Sequence, residues 1–214
     1  MKTVTRTYEV YNYSELSEEA KAVVREWYLD NIHTAQDFTE MQTEDLKYLF
    51  PNSKLKLQYS LAYCQGDGLN IYGKVNVMDL FNIIRDRQSY GKTFKNFGDV
   101  MTEQQQKAIE AYAGVCGWSV EIPRNNGHYE YCIADKTEFA EDWIYELKDA
   151  GYKNINTDVI FKFEEIVRDI FEELSAQYEK CGYGYFYEVD DEEIEDGCEA
   201  NGWTFFEDGS YCAA

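Results

Sequence analysis

KLKLQYSLAYCQGDGLNIYGKV, residues 54–75, decides how the chain is read. Leu55, Leu57, Tyr59 and Leu61 recur at a period of two, the spacing that places side chains on one face of a strand. A second strand-favouring run, LNIYGKV, follows Asp67-Gly68, a pair that favours a tight reversal because glycine accepts positive φ at little cost. The stretch predicts an antiparallel hairpin turning at Asp67-Gly68. The flanking glycines would also let a ligand approach Asp67, which makes it a candidate base or cation ligand. No Ser, His or second carboxylate lies within the loop to complete a catalytic set, and Cys64 has no paired histidine. The turn reading is therefore preferred.

The same patterns extend outward. Residues 3–11 (TVTRTYEVY) alternate like a strand, and Ser17 caps a helix in which Ala20, Val23, Val24 and Trp27 recur at helical spacing. A second helix, Ala35 to Phe50, stops at Pro51. Thr102 and Gln105 fit a capping box for a helix with Ala108, Ile109, Tyr112 and Cys116 on one stripe, ending at Gly117. WSVEI and HYEYCIA, joined by Arg124-Asn125-Asn126-Gly127, read as another hairpin. Thr137 opens a helix carrying Phe139, Trp143, Ile144 and Leu147 that closes at Gly151. Thr157 opens the longest one, with Ile160, Phe163, Val167, Ile170, Phe171 and Leu174 facing a core. The end, WTFFEDGSYCAA, reads as a short hairpin at Asp208-Gly209. The expected fold class is α+β: antiparallel hairpins forming a sheet, with helices packed on one face, in a single domain spanning residues 1–214.

Composition narrows the function classes. With 44% hydrophobic and 16% aromatic residues and two prolines in 214, the chain is built to fold. Its 41 Asp+Glu against 20 Lys+Arg give a net charge of −21, which repels nucleic acid and anionic membranes and favours a basic partner. The opening MKTVTRTYEV has no long apolar run, so neither an export signal nor a membrane span is expected, and a cytoplasmic location (in a host cell) is. The six cysteines, Cys64, Cys116, Cys132, Cys181, Cys198 and Cys212, include no C-x-x-C pair. The chain has two histidines, His33 and His128. They could serve as general bases, but they lie in unrelated segments and read as surface or packing residues. No metal site, cofactor or catalytic residue is expected, and the thiols read as reduced, small apolar side chains.

The acidic C-terminal region, about residues 157–214, is the most informative feature. From Phe161 onward 16 acidic residues face three basic ones, Lys162, Arg168 and Lys180. If Asp190 to Ala200 is helical, Asp191, Glu195 and Glu199 form one stripe with steps of about 6 Å along the axis, coarser than the roughly 3.4 Å phosphate repeat of one DNA strand but alike in sign. Acids in a first helical turn also complement the helix dipole, which accounts for Asp190 to Glu193 but not for Glu195 and Glu199. The candidate partner-binding residues are Asp190, Asp191, Glu192, Glu195, Asp196 and Glu199. Core packing is expected to be indifferent to Asp191, Glu195 and Glu199.

YNYSELSEEAKAVVREWY near the start, YSLAYCQGDGLNIYG in the middle and CEANGWTFFEDGSYC near the end resemble a family of phage and prophage proteins of mostly unassigned function. The QGDG hairpin and an ANGxxFxEDG motif carry the resemblance, which is weaker between about residues 75 and 155. Small acidic phage proteins without catalytic motifs resemble inhibitors of host defence, including anti-CRISPR proteins that mimic DNA or occlude a nucleic-acid channel. That implies a basic nucleic-acid-binding partner, such as a CRISPR effector of the Cas9 type with its guide RNA. The alternative is a small enzyme or a ligand- or cation-binding protein with a cleft near Asp67.

Overall fold

The computed structural model describes residues 7–85, 101–127 and 131–213. It is an α+β protein. A three-stranded antiparallel sheet in the order β1-β2-β3 is built from β1 (Lys54–Ser60), β2 (Gly68–Asn76) and β3 (Ser119–Ile122). The helices are α1 (Glu18–Asn31), α2 (Ala35–Leu49), α3 (Val77–Arg85), α4 (Glu103–Cys116), α5 (Ala140–Asp149), α6 (Thr157–Tyr187) and α7 (Asp191–Asn201). Where the sequence suggests one domain, the chain packs as two compact units, Met1–Phe38 with Gly182–Ala214, and Thr39–Cys181. Among the described residues no helix is long and apolar enough to cross a membrane.

The unit of Thr39–Cys181 is built on the hairpin. Leu57 pairs with Ile71 and Tyr59 with Leu69, so the alternation read in the sequence sets the register. On β2 and β3 the same face carries Leu69, Ile71, Val75, Val120 and Ile122, all buried. The turn differs from the expected tight reversal. Seven residues, 61–67, connect β1 and β2, with left-handed backbone at Tyr63 (φ +52°) and Gly66 (φ +90°). Gly68 does have positive φ (+151°), but as the first residue of β2, opposite Ser60.

A further expectation fails because a side-chain amide takes over backbone groups that a ladder would have used. The Arg124–Gly127 segment does not lead into a strand over the described part of HYEYCIA, where Ala134–Lys136 form a 3-10 turn. Buried Asn125 instead accepts from Gly127 N at 2.6 Å and donates to Tyr131 O at 2.7 Å. Asn70, on the face of β2 opposite the apolar one, is fully buried beneath a connecting segment and not a helix. Its amide donates to Pro123 O and its carbonyl accepts from Ile133 N, both at 3.1 Å. Of residues 3–11, 3–6 lie outside the described residues and 7–10 are irregular, leaving Tyr11 bridged to Phe205.

Buried carboxylates position the helices of this unit. Asp79 in α3 accepts from Asn52 N and Nδ2 and from Ser53 Oγ, at 2.9, 2.8 and 2.6 Å, tying the entry of β1 to α3. Glu164 of α6, only 6% exposed, accepts from Phe139 N (2.6 Å) and Ala140 N (2.7 Å). It thereby supplies from another helix the cap that α5 lacks in its own sequence. Thr137, the expected cap, instead closes the preceding 3-10 turn. Arg168 balances the Glu164 charge at 2.7 Å and donates to Thr137 O. Above this network Phe163 meets Phe81, Phe139 and Trp143 at ring separations of 5.7–6.2 Å.

Phe163 is fully buried, whereas Phe161, two residues earlier on the same helix, is 45% exposed. Phe163→Ala should cost about 3–5 kcal/mol of stability, and Phe161→Ala should change it by no more than about 0.5 kcal/mol. Denaturant unfolding of the two variants measures the difference.

Candidate functional site

The unit of Met1–Phe38 and Gly182–Ala214 carries the acidic helix. Ser17 caps α1, accepting from Ala20 N at 3.2 Å. Ala20, Val24 and Tyr28 of α1 join Tyr13, Leu16, Ile194, Cys198 and Phe205 in one buried cluster. Trp27 stacks on Tyr211 at 4.7 Å and meets Trp203 edge-on at 5.4 Å. Residues from near both ends of the chain thus form one core. Gly197 permits this closeness, since a Cβ there would lie 2.7 Å from the Tyr28 hydroxyl. The chain ends in the expected short hairpin, with Phe205 bridged to Tyr211 and Asp208 accepting from Ser210 N at 2.9 Å.

Ile194 and Cys198 anchor α7 in that core and sort its acids into two groups. Asp190 is the N-cap, accepting from Glu193 N at 2.8 Å. Asp191 accepts from the Tyr13 hydroxyl at 2.7 Å and from Arg25 Nε and Nη2 at 2.8 and 3.0 Å. The Tyr13 hydrogen bond, then the Arg25 one, holds the Asp191 carboxyl below the usual carboxylate range. Glu193 meets His33 Nε2 at 2.7 Å. Glu192, Glu195, Asp196 and Glu199 are exposed and make neither an ion pair nor a side-chain hydrogen bond among the described residues. Their spacing (i, i+3, i+4, i+7) sets them on one stripe opposite Ile194 and Cys198.

The expected stripe of Asp191, Glu195 and Glu199 therefore needs correction. Asp191 is turned aside to Tyr13 and Arg25, so packing is not indifferent to it, and Glu192 and Asp196 complete the free stripe. Arg25 lies 166 residues from Asp191, a pairing that no local pattern in the sequence announces. Beside the stripe, a recess of about 400 Å³ is lined by Tyr13, Cys198 and Trp203 together with Glu195 and Glu199. The other unit has a further acidic recess, of about 600 Å³, lined by Glu138, Glu141, Asp142 and Phe161 beside the Glu164–Arg168 pair. Its Glu138, Glu141 and Asp142 precede the acidic run that the sequence brings to notice.

Residues considered for catalysis are engaged otherwise. Asp67 accepts from Ser60 Oγ (2.9 Å), Ala62 N (2.6 Å), Cys64 N (2.9 Å) and Cys64 Sγ (3.0 Å). Both of its oxygens hold its own loop together. All six cysteines are free. Burial, with Glu195 adding, pushes the Cys198 thiol up to about 11. Burial, with Glu146 adding, does the same for Cys116. The hydrogen bond to Asp67 raises Cys64. Raised thiols are poor nucleophiles because the thiolate is the reactive form. His33 is packed between Tyr185 and Glu193, and His128 lies outside the described residues. Among the described residues no group of three or more His, Cys, Asp or Glu side chains is arranged to hold a metal ion. No protein-family model, curated protein or solved structure matches the chain.

The Cys64 thiol first, then the Cys64 and Ala62 amides and the Ser60 hydroxyl, hold the Asp67 carboxyl far below the usual range. Its contribution to loop order is present above the ordinary aspartate value of about 4 and is lost as pH falls through the lower folded-state value. Asp67→Asn should speed hydrogen exchange at the Ala62 and Cys64 amides at neutral pH and leave the Leu69 and Ile71 amides unchanged. Asp191→Asn should lower the melting temperature more than Asp196→Asn, because only Asp191 has internal donors. Thermal unfolding of the two variants, matched in charge, compares them.

Proposed function

We propose that the protein is an acidic interaction protein that docks through the exposed face of α7 on a basic surface built to hold nucleic acid. The observation that carries this reading is the stripe of Glu192, Glu195, Asp196 and Glu199. It comprises four carboxylates that make neither an ion pair nor a side-chain hydrogen bond among the described residues, on a helix whose other acids are used to seat it. From Glu192 to Glu199 it runs about 10 Å along the axis, the reach of about three phosphate steps of one strand. Carboxylates so spaced can occupy lysine and arginine positions that otherwise bind phosphate. The net charge of −21 supports rapid, salt-sensitive association with such a surface. The resemblance to phage proteins points to a host defence nuclease as the target, a CRISPR effector of the Cas9 type being the specific proposal. The inhibitor would occupy or occlude the nucleic-acid channel without turnover. The alternative, a catalytic or cation-binding cleft near Asp67, has a carboxylate whose acceptor sites are already committed to its own loop.

The test is an affinity titration against a Cas9-type effector, with and without guide RNA, for the wild type and for Glu192→Gln/Glu195→Gln/Asp196→Asn/Glu199→Gln. The wild type should compete with DNA and weaken with added salt as exposed charges are screened, and the quadruple variant should bind about ten-fold more weakly or worse. Asp67→Asn should bind as the wild type does. Unchanged affinity in the quadruple variant would reject the α7 face. Failure to bind any effector of this type would reject the proposed target.

A further inference from the structure

α7 ends at Gly202, whose left-handed backbone (φ +67°) turns the chain back on the helix, a conformation glycine adopts at little cost. The Trp203 amide closes this turn by donating to Cys198 O at 3.0 Å, and Trp203 comes to line the 400 Å³ recess together with Glu195 and Glu199. Trp27 and Tyr28 of α1 meet the Trp203 ring edge-on at 5.4 and 6.2 Å and hold it in place, yet the residue is only half-buried. Ser14 and Thr204 add two hydroxyl groups to the lining. Glu195 and Glu199 lie four residues apart, like charges that disfavour the helix. Neither makes an ion pair or a side-chain hydrogen bond among the described residues.

One recess therefore combines an indole, two exposed carboxylates and two hydroxyls. The carboxylates call for a cation, and the indole narrows which one. A guanidinium is planar and weakly hydrated, stacks on aromatic rings, and presents five N–H donors in a fixed fork, enough to serve two carboxylates at once. An ammonium is a compact, strongly hydrated point charge without that fork. We infer that the recess takes an arginine side chain of the basic partner, its guanidinium bridging Glu195 and Glu199 and resting on Trp203. The volume lies within the range of small-molecule sites and is ample for one side chain. Because Trp203 is already packed, little ordering is needed when the site fills. The inference rests on the reading of α7 as a docking face and adds which cation that face selects. Glu192 and Asp196 do not line the recess and meet lysine and arginine alike.

The test titrates the full chain with a short peptide of alternating glycine and arginine and with its lysine counterpart, equal in length and charge. Affinity and the Trp203 indole N–H signal in NMR spectra are the readouts, the signal being assigned from Trp203→Leu. The arginine peptide should bind about ten-fold more tightly than the lysine peptide and should shift the Trp203 signal. Glu195→Gln/Glu199→Gln should abolish that preference, as should Trp203→Leu. Glu192→Gln/Asp196→Asn removes the same charge outside the recess and should weaken both peptides while keeping the preference. If Trp203→Leu does not fold, the two charge-matched variants, altered only at exposed residues, still decide. Equal affinity of the wild type for the two peptides, or equal loss of the preference in the two charge-matched variants, would overturn the inference. Should equal affinities nevertheless fall in both of those variants, the docking face stands and the arginine recess alone is rejected. Binding of neither peptide would reject both.

Discussion

The Asp191 carboxylate, held by the Tyr13 phenol and the Arg25 guanidinium, sets what the acidic helix can do. A helix with six Asp or Glu among its eleven residues repels itself, and its intrinsic preference is too weak to seat it alone. Two apolar side chains, Ile194 and Cys198, fasten one side to the core, while Asp191 and Glu193 bond to groups from the first 33 residues. With those acids engaged, Glu192, Glu195, Asp196 and Glu199 are left facing solvent. The free face follows from the docking of the helix.

The same use of acids recurs along the chain. Asp67 gathers a seven-residue loop, Asp79 ties the start of β1 to α3, Glu164 caps a helix that lacks a cap of its own, and Asp190 caps α7. Each is a strong acceptor for donors that would otherwise be unpaired at a turn or helix end. A net charge of −21 therefore combines two populations, carboxylates that hold the fold together and carboxylates available to a partner. Only the second supports an interaction, and it is smaller than composition implies.

This division explains what the sequence made legible. The β1–β2 register, the capping box at Thr102 and the buried stripe of α6 were readable because a period of two, a period of 3.6 and a cap signature are local properties of the chain. The expected strand after Gly127 and the tight turn at Asp67 were misread because Asn125 and Asp67 bind backbone groups through their side chains, which residue type and spacing do not reveal. The acidic helix was legible as a helix, but which of its acids remain free was not. That depends on Tyr13, Arg25 and His33, between about 150 and 180 positions away in the chain.

The claim that α7 presents sorted carboxylates is tested most directly by carbodiimide-driven labelling of carboxyl groups with an amine, read residue by residue by mass spectrometry, with and without a guide-free Cas9-type effector. Glu192, Glu195, Asp196 and Glu199 should label readily in the free protein and become protected in the complex, while Asp191 should label slowly in both. Labelling of Asp191 as fast as that of Glu192 in the free protein, or no protection of the four in the complex, would contradict the account.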